Sequence, residues 1–365
     1  MSKQITVHYD QKPIYNIYIE HDYAGLQDVL KGFALDYRKI CIVSDSHVAP
    51  YYLEEVSSIA SGCASRVISF VFEAGEQSKH LDTVGDLYEQ LIREHFDRKD
   101  ILLALGGGVV GDLAGYTAAT YLRGIKVIQL PTSLLAMVDS SIGGKTGVDF
   151  RGYKNMIGAF HQPSAVYMNL SVLNTLTDAE YFSGYGEIIK HGLIKDMAYY
   201  QYLHSHYEEI CRRDQAVLEE VVAGSCEIKR QVVENDPKEQ GERALLNFGH
   251  TLGHAVEKLM NFGMLHGECV ALGMVAATYL SARRGYITQE EYTRIVDTIR
   301  KLHLPVTVSG LDVQEVIEVS KSDKKMDAGQ IRFILLKELG QAVITTDVTV
   351  EEMKEALKQI LGGNK

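Results

Sequence analysis

Short apolar segments alternate with helix-like stretches between residues 38 and 170. Five of these segments are rich in Val, Ile and Leu, at residues 40–43, 67–71, 101–105, 127–130 and 166–169. Several are apolar throughout, which is typical of strands that are covered on both faces. Strands that alternate with helices favour βα units and a mostly parallel sheet. The pattern therefore predicts an open α/β sheet in the first half of the chain.

The pattern changes at Thr177, which has the spacing of a capping box with Glu180 and so predicts the start of a helix. Apolar residues between 189 and 210 keep three-and-four spacing, which predicts one amphipathic helix of about six turns. The change of pattern predicts two domains. We expect an α/β domain at residues 1–177 and a mainly α-helical domain at residues 178–365.

The rest of the second half contains further elements. Residues 269–282 carry no charge and predict a buried helix, with Gly285 placed to cap it. Residues 331–336 and 342–345 predict a strand pair, and residues 350–361 predict a closing helix. The second half is therefore expected to contain one small sheet among its helices.

Composition and charge exclude several classes of protein. The 365 residues are 46% hydrophobic and 23% charged, which is ordinary for a globular protein. The net charge of −11 is spread over both halves, which argues against a nucleic-acid surface. The charge-free run at 269–282 is too short for the roughly 20 residues that cross a bilayer. The first ten residues lack the apolar core of a signal peptide, so we expect a cytoplasmic protein. The five cysteines form no Cys-x-x-Cys pair, so we expect them to be free thiols.

A glycine-rich turn follows the strand predicted at 101–105. Residues 106–111 contain the G-x-G-x-x-G spacing, which lets backbone N–H groups and a helix N-terminus approach a pyrophosphate. The alternative is a tight turn that needs glycine only for positive φ angles. Gln129 and Leu130 occupy the region where an acid would hold a ribose. We therefore predict a nucleotide site, but not the usual first-strand dinucleotide arrangement.

Two further loops carry candidate chemistry. Residues 73–79 follow another predicted strand and would lie at the same edge of the sheet, where ligands bind in open α/β folds, unless they form a plain solvated turn. Residues 139–147 resemble part of a P-loop, but Asp139 stands where its first glycine belongs, so ATP hydrolysis is disfavoured. This segment, with Lys145 and Lys154, predicts a flexible loop for an anionic small molecule. The alternative is a charged surface loop.

The helical half contains candidate metal ligands. Glu187 shares a helix face with Lys190 and His191, and His250 and His254 lie one helical turn apart. Carboxylate and imidazole ligands suit zinc, and spacing alone would make His250 and His254 a ligand pair. The alternative for each histidine is an ordinary buried or surface imidazole.

Three polar residues lie near these histidines in the chain, namely Lys229, Arg243 and Asn247. Two cations and an amide beside a metal would suit a carboxylate or a phosphate group on a substrate. The alternative is a set of surface charges that pair with neighbours on their own helices.

Taken together, these motifs resemble the 3-dehydroquinate synthase family over nearly the whole chain after residue 35. The motifs lie at residues 75–79, 106–112, 131–133, 138–147, 186–190, 247–254 and 266–268. The resemblance implies a nucleotide-binding α/β domain, a helical metal-binding domain and an active site in the cleft between them. It also implies a fold similar to that of glycerol dehydrogenases, and a homodimer.

The resemblance implies NAD⁺ as a recycled cofactor. It also implies zinc or cobalt held by Glu187, His250 and His266. His254 would then not be the metal ligand that its spacing suggests, but would lie beside the metal or the substrate. The implied cofactor contacts are Asp45, Ala74, Gly75, Glu76, Gln77, Ser78, Lys79, Gly108, Val109, Val110, Gly111, Asp112, Thr132, Ser133, Lys145, Lys154, Val172, Leu173, Asn174 and Thr175. The implied substrate contacts are Asp139, Lys145, Asn155, Lys190, Lys229, Arg243, Asn247 and His254. Arg123 would reach the substrate phosphate of the partner subunit, and either Lys324 or Lys325 would supply a late lysine.

The implied reaction converts 3-deoxy-D-arabino-heptulosonate 7-phosphate to 3-dehydroquinate and phosphate. It proceeds by transient oxidation, phosphate elimination, reduction and ring closure, on a small-molecule substrate with no nucleic acid or membrane involved. Three alternatives remain open: a cyclase for sedoheptulose 7-phosphate or glucose 6-phosphate, a metal-dependent polyol dehydrogenase, and a non-catalytic nucleotide-sensing module. The residues Lys229, Arg243 and Asn247 favour the acidic substrate.

Overall fold

The computed structural model describes residues 3–261, 263–321, 326–327 and 330–362. The chain divides into two compact units, Met1–Leu176 and Thr177–Lys365. The first unit contains an α/β sheet and the second is mainly helical, as the hydrophobic pattern predicts. Within the described ranges, no helix combines the length and the apolar character that a membrane crossing requires.

The first unit is organised around a seven-stranded sheet in the order β1-β2-β9-β6-β5-β3-β4. Its strands are β1 (Lys3–Tyr9), β2 (Lys12–Glu20), β3 (Lys39–Asp45), β4 (Arg66–Phe72), β5 (Ile101–Gly106), β6 (Lys126–Pro131) and β9 (Ala165–Asn169). Its helices are α1 (Leu26–Lys31), α2 (Ala49–Ser61), α3 (Leu81–Arg93) and α4 (Gly108–Thr120). The five predicted strands are confirmed as β3, β4, β5, β6 and β9, and all neighbouring pairs except β1–β2 are parallel.

Burial explains why these strands could be read from the sequence. Every residue of β5 and β9 is buried, as expected for strands with cover on both faces. One core cluster joins the sheet to α3 and α4, through residues such as Leu87, Leu91 and Leu113. The hairpin β1–β2 adds an edge, and β2 pairs in parallel with β9.

The order of the parallel strands creates a switch point. From β3 the chain moves outward to β4, and then returns to the other side of β3 to form β5, β6 and β9. The carboxyl ends of β3 and β5 therefore flank the place where the connections diverge. In open α/β sheets, ligands bind in the crevice at such a point.

The flexible loop predicted from residue 139 onward is wrong. Residues Ala136–Ser140 form a turn of π-helix, and Lys145–Phe150 (β7) pairs with Tyr153–Phe160 (β8) in an antiparallel hairpin. A Cβ atom at Gly147 would lie 2.8 Å from the carbonyl oxygen of Ile157. The glycine that suggested flexibility instead permits close contact between two strands.

The second unit consists mainly of helices. They are α5 (Asp178–Lys195), α6 (Met197–Ser205), α7 (Tyr207–Cys211), α8 (Gln215–Asn235), α9 (His250–Leu259), α10 (His266–Arg283), α11 (Gln289–Lys301), α12 (Val313–Lys321) and α13 (Val350–Ile360). The strands are β10 (Met326–Asp327), β11 (Gln330–Ile331), β12 (Phe333–Glu338) and β13 (Gln341–Thr345). The predicted capping box at Thr177, the buried helix α10, the β12–β13 strand pair and the closing helix α13 are confirmed.

The single helix predicted across residues 189–210 is wrong, because the segment forms parts of α5, α6 and α7. The backbone of Asp196 is extended, and its side chain accepts a hydrogen bond from the N–H of Tyr199, which starts α6. A Cβ atom at Gly192 would lie 3.0 Å from Tyr200, so the absence of a side chain lets the two helices meet closely. The apolar residues keep three-and-four spacing across Asp196, so the sequence pattern does not reveal the break between α5 and α6.

Candidate functional site

The loops predicted to contact a cofactor in the first unit follow the carboxyl ends of parallel strands. Asp45 ends β3, residues 74–79 follow β4, Gly108 follows β5, Thr132 follows β6 and residues 172–175 follow β9. Because the carboxyl ends of parallel strands share one edge, the fold places these five segments along the same edge of the sheet.

The glycine-rich turn connects β5 directly to α4. Gly107 precedes the first residue of α4 with a φ of −73°, and none of Gly106, Gly108 or Gly111 is among the glycines with positive φ. The interpretation as a turn that needs positive φ angles is therefore wrong. A Cβ atom at Gly111 would instead lie 2.8 Å from Oε1 of Gln129, whose Nε2 donates to the carbonyl oxygen of Gly111 at 3.1 Å. Close packing therefore explains the glycines at 106 and 111, since an added Cβ at Gly106 would also clash with Cγ2 of Val110.

Lys79 connects three of the predicted segments of the first unit. Its buried Nζ donates to Oδ2 of Asp112 at 2.7 Å and to Oδ1 of Asn155 at 2.7 Å. Burial alone would lower the pKa of Lys79, but Asp112 and Glu76 outweigh it and raise the pKa, so the ammonium group stays charged. Burial raises the pKa of Asp112, and Lys79 opposes that shift. A fixed positive charge therefore lies beside the start of α4.

The hairpin β7–β8 supports this arrangement through Asp149. The N–H of Asp149 donates to the carbonyl oxygen of Lys79 at 2.8 Å, and Oδ1 of Asp149 accepts from the N–H of Asn155 at 2.8 Å. Lys145 and Lys154 lie on the same hairpin, and Asp139 lies in the π-helical turn before it. The structure thus joins Asn155 to Lys79 and places the other three residues on adjoining segments.

Arg123 lies at the other end of α4 from the glycine-rich turn. It is exposed and has a φ of 69°, in a bend that also includes Leu122. The 13 residues of α4 span about 20 Å at roughly 1.5 Å per residue, which separates Arg123 from Gly108. The described contacts of the first unit therefore do not bring Arg123 to the segments predicted to bind the cofactor.

Close helix packing positions the histidines of the second unit. A Cβ atom at Gly253 of α9 would lie 2.6 Å from the carbonyl oxygen of Cys269 in α10. The N–H of Gly267 in α10 donates to Oγ of Ser183 in α5 at 3.1 Å. Because small residues stand at these contacts, α5, α9 and α10 approach each other closely and bring their polar side chains together.

Glu187, His250 and His266 converge from these three helices. Oε1 of the fully buried Glu187 lies 3.6 Å from Nε2 of His250 and 3.6 Å from Nε2 of His266. Two ligand atoms about 2.1 Å from a tetrahedral zinc ion lie roughly 3.4 Å apart. The donor set and the two distances between Glu187 and the imidazoles therefore fit a divalent metal such as zinc.

His254 and Lys190 border the same cluster. The ring of His254 lies 5.0 Å from that of His250 and 5.8 Å from that of His266. One nitrogen from each of these three histidines lies within 4.8 Å of the others, so His254 is close enough to contact a metal or its substrate. Lys190 contacts Oε2 of Glu187, the oxygen that does not face the two imidazoles.

The protonation of His266 reflects its acidic surroundings. Burial lowers the pKa of His266, but Glu187 and Glu257 outweigh burial and raise the pKa to about 9. The Nδ1 atom of His266 lies 3.5 Å from Oε2 of Glu257. Two carboxylates, those of Glu187 and Glu257, therefore flank the ring of His266.

Lys229, Arg243 and Asn247 do not behave as surface charges. The side chains of Lys229 and Arg243 are only 4% and 2% exposed, so the interpretation as solvated helix charges is wrong for both. Nη1 of Arg243 donates to the carbonyl oxygen of Pro237 at 2.8 Å, and Nδ2 of Asn247 donates to Oε1 of Glu239 at 3.0 Å. Lys324 and Lys325 lie outside the described residues.

The family comparisons match both units. The model of the 3-dehydroquinate synthase N-terminal domain matches residues 69–183, and that of the C-terminal domain matches residues 184–326. The 3-dehydroquinate synthase of Acetivibrio thermocellus is 43% identical, covering 95% of this chain and 96% of that protein. That of Hydrogenovibrio crunogenus is 43% identical, covering 97% and 99%.

The chain belongs to the 3-dehydroquinate synthase family. The resemblance drawn from the motifs is thereby confirmed, as are the two-part fold and the class of enzyme.

Solved structures of related cyclases share the fold of this family member. A 2-epi-5-epi-valiolone synthase from Streptomyces hygroscopicus, with NAD⁺ and Zn²⁺ bound, is 28% identical with a TM-score of 0.86, covering 97% of this chain and 96% of that one. A 2-deoxy-scyllo-inosose synthase complexed with carbaglucose-6-phosphate, NAD⁺ and Co²⁺ is 22% identical with a TM-score of 0.87, covering 98% and 100%. The second likeness concerns the fold alone.

Sequence reasoning missed two side chains near the metal residues, namely Glu257 and Ser225, the partner of His191. Glu257 follows His254 by three residues in α9, a spacing that could have placed both on one helix face. Nδ1 of the buried His191 lies 2.7 Å from Oγ of Ser225 in α8. The contact between His191 and Ser225 joins α5 to α8, and no pattern in the sequence indicates a contact between these two helices.

Proposed function

We propose that this chain converts 3-deoxy-D-arabino-heptulosonate 7-phosphate to 3-dehydroquinate and phosphate. The observation that carries the proposal is the 43% identity to relatives named 3-dehydroquinate synthase, over 95% and 97% of the chain. The reaction oxidises the substrate transiently, eliminates phosphate, reduces the product of elimination and closes the ring, so the cofactor is regenerated in each turnover.

NAD⁺ and a divalent metal are the proposed cofactors. The related valiolone synthase carries NAD⁺ and Zn²⁺, and Glu187, His250 and His266 have the donor set and spacing that suit zinc. When bound, NAD⁺ accepts and returns a hydride, and the metal stabilises negative charge on a substrate oxygen. The segments after β3, β4, β5, β6 and β9 would hold the NAD⁺, with its pyrophosphate at the N-terminus of α4.

The charged residues of the chain would bind and orient the substrate. We assign this role to Asp139, Lys145, Asn155, Lys190, Lys229, Arg243, Asn247 and His254. The buried ammonium and guanidinium groups of Lys229 and Arg243 suit the carboxylate and phosphate of an acidic sugar. Holding both anionic ends would fix the conformer from which the ring closes, which is an orientation effect.

We also propose a cytoplasmic homodimer in which Arg123 acts on the partner's substrate. The placement of Arg123 at the far end of α4 supports an action outside its own cofactor segments. Light scattering on the purified protein should give the mass of a dimer. Arg123→Ala should lower turnover without changing zinc affinity, and a fully active monomer would contradict this assignment.

The function is tested by following phosphate and NADH together. Purified protein with NAD⁺ and zinc should release inorganic phosphate from the heptulosonate phosphate without net NADH. Glu187→Ala should lose zinc and phosphate release together while keeping the circular dichroism spectrum of the wild type, since the metal is then missing a ligand. No phosphate release by zinc-loaded wild-type protein would overturn the proposal.

A panel of substrates separates the related activities. Sedoheptulose 7-phosphate and glucose 6-phosphate lack the carboxylate that Lys229 and Arg243 would bind, so we expect them to be poor substrates. Faster phosphate release from either would reassign the chain to another cyclase. Accumulation of NADH in step with turnover of a polyol would indicate a dehydrogenase, and NAD⁺ binding with neither reaction would indicate a sensing module.

A further inference from the structure

Glu257 is a buried carboxylate for which the proposed function has no role. It lies on α9, seven residues after His250 and three after His254, so helical spacing places it near the face that carries both histidines. Its exposed fraction is 7%. A buried carboxylate is costly unless a polar partner compensates for the loss of water, so its surroundings are informative.

One polar ring close to Glu257 is that of His266, at the start of α10. Oε2 of Glu257 lies 3.5 Å from Nδ1 of His266, while Nε2 of the same ring lies 3.6 Å from Oε1 of Glu187. An ionised carboxylate can only accept a hydrogen bond, so Glu257 favours the proton on Nδ1. In that tautomer the lone pair of Nε2 is available to a metal ion bound beside Glu187.

His250 shows the same arrangement with a different oxygen. Its Nδ1 lies 3.2 Å from the carbonyl oxygen of Phe248, and its Nε2 lies 3.6 Å from Oε1 of Glu187. Both imidazoles therefore have an orienting oxygen at Nδ1 and present Nε2 to the same carboxylate oxygen. Metal-binding histidines commonly have such a partner, which fixes the tautomer and the orientation of the ring.

We propose that Glu257 is a positioning residue for the metal site. It accepts a hydrogen bond from Nδ1–H of His266 and so holds Nε2 of that ring toward the ion that Glu187 and His250 also bind. The inference rests on the proposed function, because it requires the metal site. Removal of such a partner typically weakens metal binding about 10- to 100-fold.

The test measures zinc affinity by competition with a chromophoric chelator, using the full-length protein. We expect Glu257→Ala to weaken zinc binding about 10- to 100-fold, and Glu257→Gln to weaken it less because an amide oxygen still accepts from Nδ1–H. Glu318→Gln is the matched control, since the side chain of Glu318 on α12 is 57% exposed, and it should leave the affinity unchanged. The visible absorption of the Co²⁺-loaded protein should change for Glu257→Ala and not for the control.

The outcomes separate this inference from the proposed function. If Glu257→Ala binds zinc as tightly as the wild type while Glu187→Ala does not, the role of Glu257 is overturned and the metal site stands. If Glu187→Ala also binds zinc normally, the metal site is wrong and the inference falls with it. Should Glu257→Ala fail to fold, Glu257→Asp carries the test, because the shorter side chain withdraws the carboxylate from His266. Wild-type affinity of that variant would then overturn the role of Glu257.

Discussion

In the first unit, the buried side chain of Lys79 contacts several charged and polar groups. Its Nζ donates hydrogen bonds to the carboxylate of Asp112 and to the amide oxygen of Asn155, and it lies 3.8 Å from Oε1 of Glu76. A buried charge that loses its partner costs more than the pair contributes, because the remaining charge stays away from water. Lys79 should therefore affect both the stability of the fold and the binding of an anionic cofactor.

We predict that Lys79→Met lowers the free energy of unfolding by about 1–3 kcal/mol, because the half-buried Asp112, whose side chain is 19% exposed, loses its countercharge. Urea unfolding monitored by circular dichroism measures this loss. The double variant Lys79→Met/Asp112→Asn should recover part of the stability, since it removes the uncompensated charge. NAD⁺ affinity should fall in both variants, and equal stability of Lys79→Met and the wild type would contradict the prediction.

The metal residues illustrate what single positions in a sequence can indicate. Spacing favours His250 with His254, because residues one turn apart are recognisable within a single helix. Glu187 and His266 belong to α5 and α10, so their meeting depends on glycine contacts between helices that no periodicity reports. The family resemblance supplied the set of Glu187, His250 and His266. It did not identify Glu257.

At the scale of elements, burial decided which predictions succeeded. The strands β3, β5, β6 and β9 are apolar over most of their length because they are covered on both faces. Their apolar runs therefore allowed these strands to be predicted from the sequence. The β7–β8 hairpin contains glycines and lysines that also suit a loop, so its strands were missed. The breaks at Asp196 and His206 leave the apolar spacing intact, so three helices were predicted as one.

Glycine contacts between α9 and α10 provide a prediction at this scale. In Gly253→Ala the new Cβ would meet the carbonyl oxygen of Cys269 at 2.6 Å, and a backbone atom cannot rotate away. We expect the helices to separate, with a loss of about 1–3 kcal/mol of unfolding free energy and weaker zinc binding, since His250 and His266 lie on the two helices.

Gly85→Ala is the matched control for this prediction. Gly85 lies in α3 and has no atom within 4 Å of an added Cβ, so alanine should leave the stability unchanged or raise it by about 0.5–1 kcal/mol. Chemical denaturation and chelator competition are measured for both variants. If the two variants show equal stability and equal zinc affinity, close helix packing does not maintain the site.

At the scale of the whole molecule, the two units carry different candidate ligand sites. The predicted cofactor segments belong to the first unit, and Glu187, His250 and His266 belong to the second. A ligand that binds only the folded state stabilises the segments it contacts. The two ligands should therefore leave different patterns of protection along the chain.

We predict that hydrogen exchange measured by mass spectrometry separates the two sites. NAD⁺ should slow exchange most at residues 72–79, 106–112 and 131–133. Zinc should slow it most at residues 183–191 and 247–268, and removal of zinc by a chelator should reverse this protection. The strongest protection by zinc at residues 106–112 would contradict the assignment of the metal to the second unit.

The position of β9 has a consequence for how the protein is made. This strand lies between β2 and β6, and Ile17 of β2 stands opposite Val166 of β9. Until the ribosome has released the chain beyond residue 169, the sheet remains in two parts, each with an open edge. Pairing of strands so distant in sequence slows folding, and open strand edges favour aggregation. Synthesis that stalls before β9 should therefore yield insoluble nascent chains, whereas a stall after it leaves a sheet that can close.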